Sequence, residues 1–169
     1  MAFFIPINME FLDEVIENYA TNHTDKEPKL LADLNRETWA NVMIPRMLSG
    51  HLQGRILSMF SKLVNPENIL EIGTYTGYSA LCLAEGLKTN GRLHTLDINE
   101  ECTSVASRYF KKSNFGENII QHIGEATKII PNLNCNFQLA FIDADKKNYS
   151  NYFDSIIDKI DIGGLIIAD

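Results

Sequence analysis

Four acids and one lysine hold most of the chemistry that can be read from this chain: Glu71, Asp97, Asp143 and Asp169, with Lys146 close behind the third. Each acid stands at or just past the end of a short apolar run (69–72, 92–96, 137–142 and 165–168). Around the first, residues 69–79 read Ile-Leu-Glu-Ile-Gly-Thr-Tyr-Thr-Gly-Tyr-Ser. That is a strand, a tight turn with Gly73 and Gly77, and a helix start, the place where open α/β sheets hold nucleotide-like cofactors. The spacing E-x-G-x-x-x-G lacks the G-x-G-x-x-G that packs backbone amides against a pyrophosphate. Asp97 lies about 25 residues beyond the first strand, where an acid can accept both hydroxyls of a ribose. Asp143 and Asp145 are two positions apart in an extended stretch, and Lys146 opens the next helix, where the helix dipole disfavours a cation. By itself that D-x-D-K is equally a solvated Asp–Lys pair. Hard carboxylate oxygens converging at Asp143 and Asp169 suit Mg²⁺ or Ca²⁺ over zinc.

A cofactor with an adenosine and a cationic amino-acid end, but no phosphate, fits an acidic pocket of this kind. S-adenosylmethionine has that chemistry. A nicotinamide dinucleotide, and with it a nicotinamide-dependent oxidoreductase, needs the pyrophosphate loop that is missing here.

These residues require a scaffold of alternating strands and helices. Strands are predicted at 69–72, 92–96, 119–123, 137–142 and 165–168, with helices at 78–88, 100–112, 124–130 and 146–160 between them. Asn99 is placed to cap the second of these helices. Glu100 and Glu101 follow in its first turn, and Lys111 and Lys112 close it. The face Tyr149, Tyr152, Phe153, Ile156, Ile157, Ile160 marks the last, and Gly163-Gly164 reads as the turn after it. Such alternation implies right-handed crossovers and a mainly parallel sheet. Ahead of it lies a helical lead. Phe11, Leu12, Val15, Ile16 and Tyr19 recur at helical spacing. A second helix runs from Pro28 through Leu30, Leu31, Leu34 and Trp39, and Pro45 breaks the pattern. A third helix carries Leu52, Ile56, Leu57, Phe60 and Leu63, with Pro66 beyond its end. The 169 residues suit one domain, with 1–66 as lead and 67–169 as β/α body.

The bulk numbers exclude several classes. A net charge of −7 argues against a nucleic-acid backbone as main partner, and weakly against an anionic membrane surface. No apolar run approaches the ~20 residues of a spanning helix. The N-terminal residues have neither a basic n-region nor a long h-region, which argues against a secretory signal. Three cysteines without C-x-x-C offer no disulfide framework or zinc site, and Cys82 and Cys102 read as small buried hydrophobes. This usage fits a reducing cytoplasm. His23, His51, His94 and His122 show no ligand spacing and read as structural or solvated.

Taken in order, the segments Leu-Glu-Ile-Gly-Thr-Tyr-Thr-Gly-Tyr-Ser (70–79), Leu-Asp-Ile-Asn (96–99), Gly-Glu-Ala (124–126), Phe-Ile-Asp-Ala-Asp-Lys (141–146) and Gly163-Gly164 through Ala168-Asp169 resemble the cation-dependent O-methyltransferases. Asn148-Tyr149, Tyr152 and Gln53-Gly54 add to the match, which runs from about Met43 to Asp169. Caffeoyl-CoA and catechol O-methyltransferases belong to that family, as do many bacterial small-molecule enzymes. The resemblance implies a Rossmann-like class I methyltransferase fold, a doubly wound, mainly parallel sheet with N-terminal helices. It implies methyl transfer from S-adenosylmethionine to a small catechol-like aromatic, with Mg²⁺ (or Ca²⁺ or Mn²⁺), in a cytoplasmic homodimer. Glu71, Gly73, Tyr75 and Ser79 would hold the methionine end, and Asp97 and Ile98 the ribose side. Gly124, Glu125 and Ala126 would sit at the adenine. Met47 and Ser49 would pass over cofactor and substrate, and Asp145 would join them at the cofactor. Asp143 would touch metal and cofactor, Asp169 would be the second metal ligand, and Lys146 the general base.

One departure stands out. The family's third metal ligand, an Asn directly after the second Asp, is not in the sequence, and neither are the aromatic loop and final pair of strands that follow it. The expectation is a C-terminally incomplete record of a longer enzyme. The alternative is a shortened cofactor-binding or dimerisation module that binds without turnover.

Overall fold

The computed structural model describes residues 13–169. Five strands form one sheet: β1 (Asn68–Ile72), β2 (Arg92–Asp97), β3 (Ile119–Ile123), β4 (Phe137–Ile142) and β5 (Ile160–Ala168). Their order is β3-β2-β1-β4-β5 and every pairing is parallel. The doubly wound α/β expectation therefore holds. The chain builds outward from β1 to β3 on one side, then returns to lay β4 and β5 on the other. A crevice must open above β1 and β4, where the winding reverses.

The central strands are buried on both faces, so they read as nearly continuous apolar runs instead of alternating ones. Ile69, Leu93, Leu139 and Phe141 face one layer of helices, while Leu70, Leu96, Ala140 and Ile142 face the other. The first layer holds α2 (Lys29–Asn41), α3 (Gly50–Val64), α4 (Tyr78–Ala84) and α5 (Glu100–Phe110). The second holds α6 (Ala126–Ile129) and α7 (Tyr149–Ile156). The Asn99 side chain caps α5 as its position predicts, accepting from the amides of Glu101 at 3.0 Å and Cys102 at 3.1 Å.

Several elements differ from the sequence expectation, each for a packing reason. Helix α4 stops at Ala84, not at Lys88. Past it, a Cβ on Gly86 would lie 2.2 Å from the Ser61 carbonyl carbon, so α3 and the end of α4 meet backbone to backbone. The Ser61 hydroxyl donates to the Leu83 carbonyl there at 2.6 Å, satisfying one orphan acceptor of the helix end. That contact also rotates α3. Its buried face is Gly54, Leu57, Ser58 and Ser61, while Ile56 and Leu63 stay exposed. Arg55, Ser58 and Lys62 all donate to the Glu85 carboxylate.

The helix expected over 146–160 is divided into a 3-10 turn Lys146–Asn148, α7, and a second 3-10 turn Ile157–Lys159. Ile160 is instead the first residue of β5, opposite Phe137. Gly163 and Gly164 lie inside β5, where the pairing slips from Phe137↔Ile160 to Leu139↔Leu165. They form an irregularity of the strand and not a turn before it. The helix expected over 124–130 shrinks to α6 and a 3-10 turn Ile130–Asn132, because Pro131 cannot donate to a continuing helix.

In the lead, Phe11 and Leu12 lie outside the described residues. Helix α1 (Glu14–Asn22) buries no side chain, and its Val15, Ile16 and Tyr19 are exposed. Trp39, expected on the inner face of α2, is 61% exposed. Leu31 and Leu34 are buried as expected, and Thr38 is buried in place of Trp39. Among the histidines, His94 and His122 stand side by side on β2 and β3, Nδ1 to Nε2 3.0 Å apart, and burial lowers both below the usual imidazole range. Cys82 and Cys102 are buried, as expected.

Replacing Gly86 by Ala forces α3 and α4 apart. We expect a loss of about 2 kcal/mol in unfolding free energy, read as a lower urea midpoint at unchanged slope. An unchanged midpoint would show that the two backbones are not in contact.

Candidate functional site

The crevice predicted by the topology holds a cavity of about 260 Å³. Its floor is the loop after β1. The Gly73 amide donates to the Leu96 carbonyl at 2.9 Å, and the Asp143 amide to the Ile72 carbonyl at 2.8 Å, so both strand ends run on into the loops as hydrogen-bonded pairs. Gly73 has φ +106°, and a Cβ there would sit 1.9 Å from the Asp143 carbonyl oxygen. Only a residue without a side chain lets the two loops touch.

Tyr75 takes a left-handed conformation at φ 48°. For a side chain of this size that costs about 1–2 kcal/mol. Two hydrogen bonds offset it. Its amide donates to Asp97 Oδ2 at 2.7 Å, and its phenol to the Ile44 carbonyl at 2.9 Å. The second bond ties the floor to a roof, the 3-10 turn Pro45–Met47. From behind, the Thr38 hydroxyl of α2 donates to that of Thr76 at 3.0 Å, both buried. Tyr78 donates to Glu27 Oε1 at 2.5 Å.

The structure brings most of the sequence candidates to this cavity. Met47 and Ser49 line it from the roof, and Gly73, Tyr75 and Ser79 from the floor. Asp97 and Ile98 after β2, Gly124 and Ala126 after β3, and Asp143 and Asp145 after β4 close the remaining sides. Glu71, Lys146 and Asp169 do not line it, and neither does Glu125. Glu125 pairs with Lys128 at 2.7 Å on the surface. The sequence reading missed Tyr78, Thr74 and Ala144 as lining residues, and gave Tyr152 no role. Tyr152 was readable as part of an apolar helix face and of the family match, without a partner. Its hydroxyl donates to Asp145 Oδ1, while Asn148 donates to Oδ2 at 2.6 Å, and these bonds hold the Asp145 carboxyl below its usual range.

Glu71 lies below the cavity, within β1 and fully buried. Oε2 accepts from the Thr95 hydroxyl at 2.5 Å, and Oε1 has no hydrogen-bond partner in the protein. Burial pushes its pKa up to about 8. The Ser79 and Thr95 hydroxyls act against that rise, and Asp143 and Asp97 add to it. A buried, half-satisfied carboxylate is unstable unless a cation or donor completes it. It fits the ammonium of an amino-acid ligand. Asp97 uses one lone pair on each oxygen for backbone amides, Oδ2 for Tyr75 and Oδ1 for Asn99 at 2.9 Å. The remaining lone pairs are free to accept from a diol.

Asp143 and Asp169 end the neighbouring strands β4 and β5, and the Asp169 amide donates to the Ile142 carbonyl at 3.1 Å. Asp143 is raised above its usual range by burial first and then by the nearby Asp169 charge, with Lys146 acting against both. Two crowded carboxylates with hard oxygens fit a divalent cation. Among the described residues no set of three or more His, Cys, Asp or Glu side chains is grouped to hold a metal, and Asp143 with Asp169 is the pair that the strand ends supply. Lys146 donates to the Tyr149 hydroxyl at 3.1 Å and to the Asp169 carbonyl. The first bond in particular raises it above its usual range.

Residues 21–169 match the O-methyltransferase family. The chain belongs to that family. It is 35% identical over 150 residues to the caffeoyl-CoA O-methyltransferase of Petroselinum crispum, covering 85% of this chain and 62% of that protein. To a putative caffeoyl-CoA O-methyltransferase of Arabidopsis thaliana it is 33% identical over its whole length and 75% of the other. Among solved structures, SAH-bound Podospora anserina methyltransferase PaMTH1 superposes with a TM-score of 0.87 at 28% identity, covering 100% of this chain and 73% of that one. The Bacillus cereus O-methyltransferase in complex with SAH gives 0.85 at 29%, covering 92% and 72%. The resemblance to cation-dependent S-adenosylmethionine O-methyltransferases is thus borne out at the level of family and fold. The chain spans 62% of the length of several of its caffeoyl-CoA relatives. Among the described residues no helix is long and apolar enough to cross a membrane.

Tyr75→Phe removes the bond from floor to roof while leaving the ring. Hydrogen exchange of the amides of Ile44 and of residues 46–49 is expected to quicken about fivefold, the equivalent of ~1 kcal/mol for one exposed hydrogen bond. Exchange at the wild-type rate would show that the roof is held by something else.

Proposed function

We propose that this chain binds S-adenosylmethionine and acts as an O-methyltransferase on a hydroxyl of a small, catechol-like aromatic, assisted by a divalent cation, Mg²⁺ before Ca²⁺ or Mn²⁺. The observation that carries the reading is the convergence of Asp97, Asp143 and Asp145 on one cavity whose floor, at Gly73, admits no side chain, with the buried, half-satisfied Glu71 on the strand that ends there.

The residues divide the work by chemistry. Glu71, with Gly73 and Ser79 beside it, receives the cationic methionine end. Asp97 holds the ribose hydroxyls, and Ile98, Gly124 and Ala126 give the adenine a largely apolar wall. Met47 and Ser49 cover the site and exclude water. Asp145, fixed by Tyr152 and Asn148, shapes the side nearest the acceptor. Asp143 and Asp169 are the protein ligands of the cation. When bound, the cofactor supplies a methyl on a sulfonium, and the cation supplies positive charge that favours the phenolate of an acceptor whose free pKa is near ~10. Lys146 is placed to take the phenol proton. Its bonds to Tyr149 and Asp169 hold it protonated in the chain alone. It becomes a base only where positive charge at the two carboxylates removes their pull on it. Holding acceptor oxygen and methyl in line provides the remaining acceleration.

Several features support the wider reading. The bonds from Glu27 to Tyr78 and from Glu37 to Arg108 and Tyr109 tie the lead to the body as one domain. Exposed Val15, Ile16 and Tyr19 of α1, with Met59 and Leu63 of α3, offer an apolar face for a homodimer. Three free thiols fit a reducing cytoplasm. The charge of −7 favours a small molecule over nucleic acid or an anionic membrane as partner. Family membership leaves the nicotinamide alternative without support. The alternative reading is a cofactor-binding module without turnover.

Incubation with S-adenosylmethionine, Mg²⁺ and a catechol is expected to give the mono-methyl ether. EDTA should abolish it, and Asp143→Ala should lower kcat/KM about 100-fold or more. Undiminished turnover in EDTA would remove the cation from the reaction. Cofactor binding without methylation of any catechol would select the module.

A further inference from the structure

Glu71 is the fully buried acid of the site, and the groups around it give it no counter-charge. From β2 it accepts from Thr95, and the charges of Asp97 and Asp143, at the ends of β2 and β4, act on it from a distance. Phe141 is its register neighbour on β4. From α4 come the Ser79 hydroxyl and the Cys82 thiol. The closest basic group on that side, Arg55 of α3, is already committed to Glu85 at 2.7 Å and to the Cys82 sulfur at 3.3 Å. The Thr74 hydroxyl lies 2.5 Å from that of Thr95, so the Thr95 proton goes to Glu71 and Thr74 donates to Thr95. Two hydroxyls and no cation therefore serve a carboxyl that is 0% exposed and leaves Oε1 unpartnered. Ionised, it would add a third negative charge to those of Asp97 and Asp143 inside the crevice.

We propose that Glu71 is a neutral carboxylic acid in the ligand-free site, and that the ammonium of an incoming S-adenosyl amino acid displaces its proton. Cofactor capture near neutral pH then releases a proton to solvent. The inference rests on the cofactor reading above. The balance is simple: the neutral acid and the ligand ammonium give a carboxylate–ammonium pair and one proton taken up by buffer. The direction of the Glu71 shift agrees. Burial pushes it up to about 8, so the acid keeps its proton between the usual carboxyl range and that pH. An ammonium against Oε1 brings it back down. Linkage then requires affinity to rise with pH across the window below 8, and to fall again where the ligand's own ammonium deprotonates.

The test is calorimetric titration of the protein with S-adenosylhomocysteine, which has the same amino-acid end and no methyl to transfer. EDTA keeps cations away from Asp143 and Asp169. Buffers of different ionisation enthalpy report the protons exchanged. At pH 7 the wild type is expected to release most of one proton, and affinity should rise close to tenfold per pH unit between 6 and 7. Glu71→Gln should release none and lose the pH dependence. A difference infrared spectrum of the wild type gives a check independent of that variant, since the protonated-carboxyl band should vanish on binding. Binding whose heat is the same in every buffer, or a spectrum without that loss, overturns the proton release and leaves the cofactor reading intact. Failure of the wild type to bind at any pH overturns both.

Discussion

The contact between Gly73 and the Asp143 carbonyl is the constraint on which the rest of the site depends. A Cβ at residue 73 would lie 1.9 Å from that oxygen, well inside any van der Waals separation. Because it is absent, the loops after β1 and β4 lie against each other where the winding of the sheet reverses. Asp143 and Asp145 are thereby delivered to one side of the crevice and Asp97 to the other. The left-handed Tyr75 is a consequence of the same sharp turn, and its amide closes the loop onto Asp97.

The crevice concentrates negative charge, and the protein relieves it mainly with hydroxyls and amides, with Lys146 as the cation beside Asp143. Thr74, Thr95 and Ser79 serve Glu71, backbone amides serve Asp97, and Tyr152 with Asn148 serves Asp145. The basic side chains of the first layer are engaged elsewhere, Arg55 and Lys62 with Glu85 and Arg108 with Glu37. The division is physically coherent. Ion pairs brace the helices that hold the loops, and the loops keep an unmet demand for positive charge facing the cavity.

What the sequence made legible follows from where each signal is local. Strands β1 to β4 were readable within a residue or two, because strands buried on both faces are short, apolar and closed by acids. Asn99 was readable as a cap because capping needs only its own neighbours. The misjudged elements are those decided by partners distant in sequence. Gly86 ends α4 because of Ser61, and the buried face of α3 is set by Glu85 on another helix. Ile160 leaves α7 because Phe137 offers it a strand. The site behaved likewise. Acids and glycines at strand ends announced themselves, while Tyr152 needed the fold to bring it to Asp145, and Glu125 faced outward once α6 was placed.

The hydrogen bond from Tyr75 to Ile44 gives this chain two scales of stability. The floor is held by the sheet, by backbone packing of α3 on α4 and by a buried hydroxyl pair, so disturbing it means disrupting the core. The roof at Pro45–Met47 meets the Tyr75 phenol through one exposed bond that water can replace for about 1 kcal/mol. Opening there is a local fluctuation on the scale of a loop, largely uncoupled from unfolding. Traffic through the entrance and permanence of the walls can therefore be tuned by different residues.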